Sequence, residues 1–223
     1  MIDTPRPGRT ARRAGARRLR AVALVGVDGS GKTTQARRLA EALTAQGIPA
    51  RYRQNAGGRR WLGRCARRLG RPSAEALVGR AGLLVIESTL RWLAIARSVL
   101  GAVCDRRVAV LDRYAVCQYA SLRARGAHQW EPLARRVYAL FPPPDVTFLL
   151  VVDPAEAQRR IEARGEDVET LEFLRASDAA YRSLPEADQF VVIDGNAPPD
   201  EVERAIRDEL QRWLAAGGAI AVR

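Results

Sequence analysis

With 223 residues and 47% hydrophobic content, the chain suits one well-filled core and is short for two. No apolar run reaches the roughly 18 to 20 residues a membrane-spanning helix needs, so a membrane role is not expected. The three cysteines, Cys65, Cys104 and Cys117, are odd in number and lack C-x-x-C spacing, which argues against a disulfide framework or structural zinc and suits a reducing cytoplasm. The formal charge of +12 is uneven: residues 1–20 hold seven Arg against one Asp, and residues 51–71 hold eight Arg and no acid. Such clusters attract polyanions such as nucleotides, nucleic acid or acidic surfaces.

In chain order, residues 1–20, with Pro5, Pro7 and Gly8 among the arginines, read as a disordered basic arm. No aromatic interleaves them, so they offer no base-stacking platform. Two prolines in the first seven residues also weigh against an amphipathic transit helix. From residue 21 to 216 short apolar runs alternate with longer amphipathic stretches, and 217–223 are left as a tail. Strands are predicted at Val22–Gly26, Ala50–Arg53, Val108–Leu111, Val146–Val152 and Phe190–Ile193. Helices are predicted at Lys32–Gln46, Ala74–Val103, Tyr114–Arg125, Glu131–Leu140, Pro154–Arg164, Glu169–Ser183 and Pro198–Ala215. Apolar strands alternating with helices imply an α/β fold of three layers. A five-stranded parallel sheet would be flanked by helices, with sites at the strands' carboxyl ends.

Residues 26–33 read Gly-Val-Asp-Gly-Ser-Gly-Lys-Thr, a complete G-x-x-x-x-G-K-[ST] between a predicted strand and a predicted helix. This is the phosphate-binding P-loop. Gly26, Gly29 and Gly31 let the backbone turn its N–H groups inward as an anion nest. Asp28, Ser30 and Thr34 complete the loop, and the helix that starts near Lys32 adds its positive dipole end. Lys32 is the one lysine among 37 basic residues, a compact point charge that arginine does not replicate. It is expected to reach the β and γ phosphates of ATP, with the Thr33 hydroxyl on Mg²⁺.

Val108–Leu111 delivers Asp112 and Arg113 to the end of the third strand, beside the P-loop strand. The carboxylate there can hold Mg²⁺ or orient the attacking group, and Arg113 can clamp a phosphate. Further on, Arg160 and Arg164 lie four apart on one helix face that ends at Gly165. They read either as a mobile segment that neutralises the transferring phosphate or as a solvated face. His128, the one histidine, lies in a polar stretch and reads as a surface residue.

Gly26–Gln35, Asp112-Arg113-Tyr114 and the Arg-x-x-x-Arg-Gly run ending at Gly165 together resemble the thymidylate kinase family of P-loop nucleoside monophosphate kinases, over about residues 21–215. The resemblance implies that Asp28 contacts the acceptor sugar, Arg113 binds the acceptor phosphate and Arg91 reads the acceptor base. With Gly29 inside the loop, the chain is similar to the branch that supplies its catalytic arginine from the lid, here Arg160 or Arg164. The departures fall on the acceptor side. Arg53-Gln54-Asn55-Ala56-Gly57-Gly58 stands where the family usually has Arg-Glu-Pro-Gly-Gly. Glu87 stands at the base-stacking Phe, and Cys117-Gln118-Tyr119-Ala120-Ser121-Leu122 replaces Ser-x-x-Ala-Tyr-Gln. The lid carries Asp167-Val168 where an Asp-Arg pair is common.

The expected activity is therefore transfer of the γ-phosphoryl of ATP onto a dTMP-like acceptor, with the base near Arg91, Glu87 and Trp92. A kinase of the same fold with another nucleotide or a hydroxylated acceptor is the alternative. A non-catalytic nucleotide- or nucleic-acid-binding protein using the Arg-rich segments is a third reading. The resemblance also implies a homodimer.

Overall fold

The computed structural model describes residues 17–165 and 169–220. Strand β1 is Arg17–Leu19, β2 Ala21–Val25, β3 Ala50–Gln54, β4 Val108–Asp112, β5 Val146–Val151, β6 Val191–Asp194 and β7 Gly218–Ile220. The helices are α1 Lys32–Ala45, α2 Arg59–Arg68, α3 Ala74–Asp105, α4 Ala115–Ala124, α5 Glu131–Tyr138, α6 Pro154–Glu162, α7 Leu171–Arg182 and α8 Pro199–Ala215. The five central strands form one all-parallel sheet in the order β3-β4-β2-β5-β6. Their bounds fall within a residue of the predicted ones.

Alternation along the strands divides the apolar side chains between two layers. Val22, Leu24, Val110, Phe148 and Leu150 pack with Leu39 and Leu43 of α1 and Ile206 and Leu210 of α8. Ala23, Val25, Leu111 and Leu149 pack on the other face with Ile95, Tyr119, Tyr138, Ile161 and Leu174. Both faces are covered, which is why the inner strands β2, β4 and β5 read as apolar runs, while β3 at the edge, Ala-Arg-Tyr-Arg-Gln, does not.

Three features differ from expectation. Helix α2 lies where no helix was predicted. Its arginines hide an amphipathic pattern in which Leu62 and Ala66, one turn apart, are buried. Helix α3 spans the predicted range but breaks at Gly79, whose φ of 73° is not helical. The arm and the tail contribute structure, since Arg17–Leu19 pairs in parallel with Gly218–Ile220. Leu19 is wholly buried against the α1 and α8 layer. The remainder of the predicted arm, residues 1–16, lies outside the described residues.

The burial of Leu19 carries a stability consequence. Leu19→Ala should lower the unfolding free energy by about 2–5 kcal/mol, the usual cost of emptying a filled leucine site. Denaturant titration checks this, and a change below about 0.5 kcal/mol would return the residue to a solvated arm.

Candidate active site

The P-loop bridges the end of β2 and the start of α1. Lys32 opens the helix behind the left-handed Gly31 (φ 87°). Only 4% exposed, Lys32 folds its ammonium back to donate to the Val27 carbonyl at 2.5 Å and to Ser30 Oγ at 3.3 Å. Its Nζ lies 3.8 Å from Asp28 Oδ1. Burial, and then the charge of Arg113, lowers its pKa to about 8, against the opposing pull of Asp28 and Asp112. Ser30 is buried and Thr34 is exposed. Gly29 (φ 85°) has a packing reason to be glycine: a Cβ there would come within 2.4 Å of the Ala157 carbonyl of α6. No arginine side chain can start from that position without moving α6.

Because β4 pairs beside β2, with Leu24 opposite Asp112, the third-strand motif arrives next to the loop. Asp112 is 1% exposed. Its Oδ2 accepts from Thr33 Oγ1 at 2.7 Å and from the Tyr52 hydroxyl at 3.0 Å, while Oδ1 is buried with no partner among the described residues. An anionic oxygen orphaned at this depth is costly unless a cation or a donor meets it. Asp112 and the Thr33 hydroxyl therefore form an all-oxygen set of the kind Mg²⁺ takes. Tyr52 was not singled out from the sequence, although its alternation on β3 points it toward β4's end. Its phenol is pushed up to about 12 by burial and by the Asp112 charge, and so stays a donor.

Arg113 follows with a left-handed backbone, φ 74°, which costs a non-glycine residue about 1–3 kcal/mol. That geometry turns its guanidinium onto Asp28, the two forming a hydrogen-bonded ion pair.

One cleft of about 320 Å³ joins Gly26, Asp28 and Thr33 to Arg113, and then to Glu87, Arg91 and the loop Ala56–Gly58. Arg91 and Glu87 are 7% and 2% exposed. Arg91 donates to Gln118 Oε1 at 2.8 Å, and Gln118 Nε2 donates to Ser88 Oγ at 2.6 Å. The Arg91 Nε is buried without a partner among the described residues. Trp92, expected beside the base, turns away: its ring meets Phe141 at 5.2 Å and its Nε1 donates to the Val137 carbonyl.

Two walls of the cleft were not read from the sequence. Trp61 and Arg64 enter from α2, so part of the 51–71 basic cluster faces the cleft, while Arg51 and Arg53 are both spent on Asp105 at 2.7 Å. Phe173, Ser177 and Tyr181 enter from α7, and Glu169 from the residues just before it. Their regular spacing of four is a helical stripe visible in the sequence, but no motif marked it.

The structure does not bring Arg160 and Arg164 into this cleft. Arg160 is held by Glu156 Oε1 and by the Gly195 carbonyl, both at 2.8 Å, and Arg164 is an exposed residue donating to the Arg160 carbonyl. Asp167 and Val168 lie outside the described residues. His128 is exposed.

Comparison with known proteins agrees with this geometry. Residues 24–206 match the family described as thymidylate kinase. A thymidylate kinase of Xanthomonas euvesicatoria pv. vesicatoria is 33% identical over 188 residues, covering 82% of this chain and 79% of its own. One from Cutibacterium acnes is 30% identical over 203 residues, covering 86% and 97%. One from Halorhodospira halophila is 28% identical over 208 residues, covering 88% and 96%. With the matched region running from the end of the P-loop strand into α8 and taking in β3, β4, β5 and β6, the chain belongs to the thymidylate kinase family and is a nucleotide kinase.

Proposed function

We propose that the protein transfers the γ-phosphoryl group of ATP to the phosphate of a dTMP-like nucleoside monophosphate, leaving ADP and a nucleoside diphosphate. The observation that carries this reading is the single cleft from the phosphate loop, past the Arg113–Asp28 pair, to Arg91. Such a cleft can bring an acceptor phosphate up to the phosphate loop. The P-loop amides and Lys32 hold the donor's phosphates, and a triphosphate beside Lys32 favours the charged ammonium that burial opposes. Thr33 and Asp112 would hold Mg²⁺, which would supply neutralising charge to the donor phosphates. Arg113 clamps the acceptor phosphate, Asp28 accepts from a sugar hydroxyl, and Arg91 faces the base. Either Arg160 or Arg164 completes the charge stabilisation at the transferring group. For Arg160 to do so it must release the Gly195 carbonyl, so it acts in a closed arrangement.

Glu87 favours a second reading of the acceptor. A carboxylate cannot stack on a base but accepts hydrogen bonds from one, so a base with an exocyclic amino group suits this wall better than the carbonyl edge of thymine. The assembly we propose is a homodimer. The outward stripe of α3 exposes Val85, Leu93, Leu100 and Val103 by half or more, an apolar face of the kind that self-complementary dimers bury. The net positive charge of the two basic stretches would favour anionic partners, and among the described residues no helix is long and apolar enough to cross a membrane.

Three measurements test these assignments. Lys32→Ala and Asp112→Asn should each lower kcat about 10²-fold or more without loss of thermal stability, whereas Arg113→Ala should raise the acceptor KM well beyond the ATP KM. Near-normal ADP release by folded Lys32→Ala protein would remove the donor-site assignment.

In a panel of nucleoside monophosphates, dTMP should be phosphorylated less efficiently than the best acceptor, and Glu87→Phe should improve dTMP turnover. Efficient dTMP turnover by the wild type, impaired by Glu87→Phe, would make the carboxylate part of a thymidylate pocket.

Sedimentation velocity should find a dimer that Leu93→Glu dissociates, because a charge buried at an apolar contact has no partner. A monomeric wild type would refute the dimer.

A further inference from the structure

Arg113 is one of two non-glycine residues with positive φ among those described, and nothing in its own chemistry favours that backbone. Something must hold it. Its N–H donates to the Leu24 carbonyl at 3.1 Å, which fixes one side of the residue. Its carbonyl accepts from Asn55 Nδ2 at 2.8 Å, which fixes the other.

Asn55 is itself immobilised. It is wholly buried, its backbone N–H donates to the Asp112 carbonyl at 3.0 Å, and its Oδ1 accepts from Ser98 Oγ at 2.7 Å. Ser98 sits in α3 at 1% exposure. The amide's orientation follows from chemistry: a peptide carbonyl only accepts, so the atom facing Arg113 must be the nitrogen, and the oxygen then faces the hydroxyl. Each polar group of the Asn55 side chain therefore has a partner, and the two partners come from different elements. In register, Gln54 pairs with Asp112. Asn55 and Arg113 are the first residues past the ends of β3 and β4, and the Asn55 side chain carries the ladder one step beyond its last backbone pair.

We infer that Asn55, locked by Ser98, is a positioning residue that holds Arg113 in its left-handed backbone and so aims the guanidinium at Asp28 and the acceptor phosphate. This rests on the reading of Arg113 as the acceptor clamp, and two readouts separate the pair of claims. The first is a crystal structure of Asn55→Ala, with Ser98→Ala as the milder variant. In it Arg113 should leave the positive-φ region or lose its contact with Asp28. Retention of both in the two variants would overturn the inference, whatever the kinetics.

The second readout is a double-mutant cycle on full-length protein, using the best acceptor from the nucleoside monophosphate panel. Asn55→Ala should raise the acceptor KM about tenfold or more while the ATP KM stays within about twofold, and Ser98→Ala should shift it the same way by less. In an Arg113→Ala background, Asn55→Ala should add nothing further to the acceptor KM, even where it lowers Tm, because the group it positions is gone. An equal rise in both backgrounds, or an ATP KM that rises as much as the acceptor KM, would reduce Asn55 to a general structural residue. Should Arg113→Ala leave the acceptor KM unchanged while the crystal structure shows Arg113 displaced, the clamp reading fails and the positioning inference stands.

Discussion

The pairing of β2 with β4 is the constraint on which the site depends. A parallel sheet with helices on both faces opens its strand ends in one direction. With Leu24 opposite Asp112, the loop that follows one strand and the motif that follows the other emerge side by side. From that single register come the Thr33–Asp112 contact, the Arg113–Asp28 pair and the Arg113 N–H bond to the Leu24 carbonyl. A one-residue slip would turn Asp112 to the opposite face of the sheet and separate all three contacts.

Charges gathered this densely and this deep must be balanced, since an unpaired buried ion is destabilising by several kcal/mol or changes its protonation state. Here Lys32 and Arg113 stand against Asp28 and Asp112, and the compensation is incomplete in two places. The Lys32 ammonium is held down to about 8 by burial and by its like-charged neighbour, and one oxygen of Asp112 has no partner among the described residues. Both imperfections favour the same occupant: a polyanion next to the lysine and a cation or donor next to the carboxylate. The Arg113 backbone adds a conformational cost in the same place. Strain concentrated in a cleft and held from three sides is what a site prepared for binding would show.

The donor end carries the P-loop residue types, while the acceptor end is built around buried polar groups. Gly29 is held to glycine by the Ala157 carbonyl, which leaves any extra arginine to come from elsewhere. At the other end Glu87 stands at the position the resemblance gives to an aromatic ring, Gln118 of α4 engages Arg91, and Asn55 engages Arg113. Two connected chains of hydrogen bonds, Arg91–Gln118–Ser88 and Arg113–Asn55–Ser98, link the site to the long helix α3. Connected networks of this kind rigidify a pocket as well as define what it can hold.

Much of this architecture was legible in the residues. Apolar runs located the three inner strands β2, β4 and β5 because both of their faces are buried, and the glycine pattern with the lone lysine marked the donor site because that spacing lets the backbone N–H groups turn toward a phosphate. Asp112 and Arg113 were legible for a similar reason, since an apolar strand must deliver whatever follows it to the sheet's carboxyl edge. Other features depended on contacts distant in sequence. The helix α2 was hidden by its arginines, and its amphipathic burial appears only once α3 lies against it. Leu19 reads as part of a basic arm until α1 and α8 supply its core. The distribution of Arg160 toward Gly195, of Trp92 toward Phe141 and of Tyr52 toward Asp112 depends on which side chain reaches which partner first. The sequence alone determined the fold and the phosphate chemistry, because both follow from local periodicity and backbone conformation. The tertiary structure alone decided which polar groups surround the acceptor, because hydrogen-bond partners across 27 to 58 residues of chain are chosen by packing and leave no local signal.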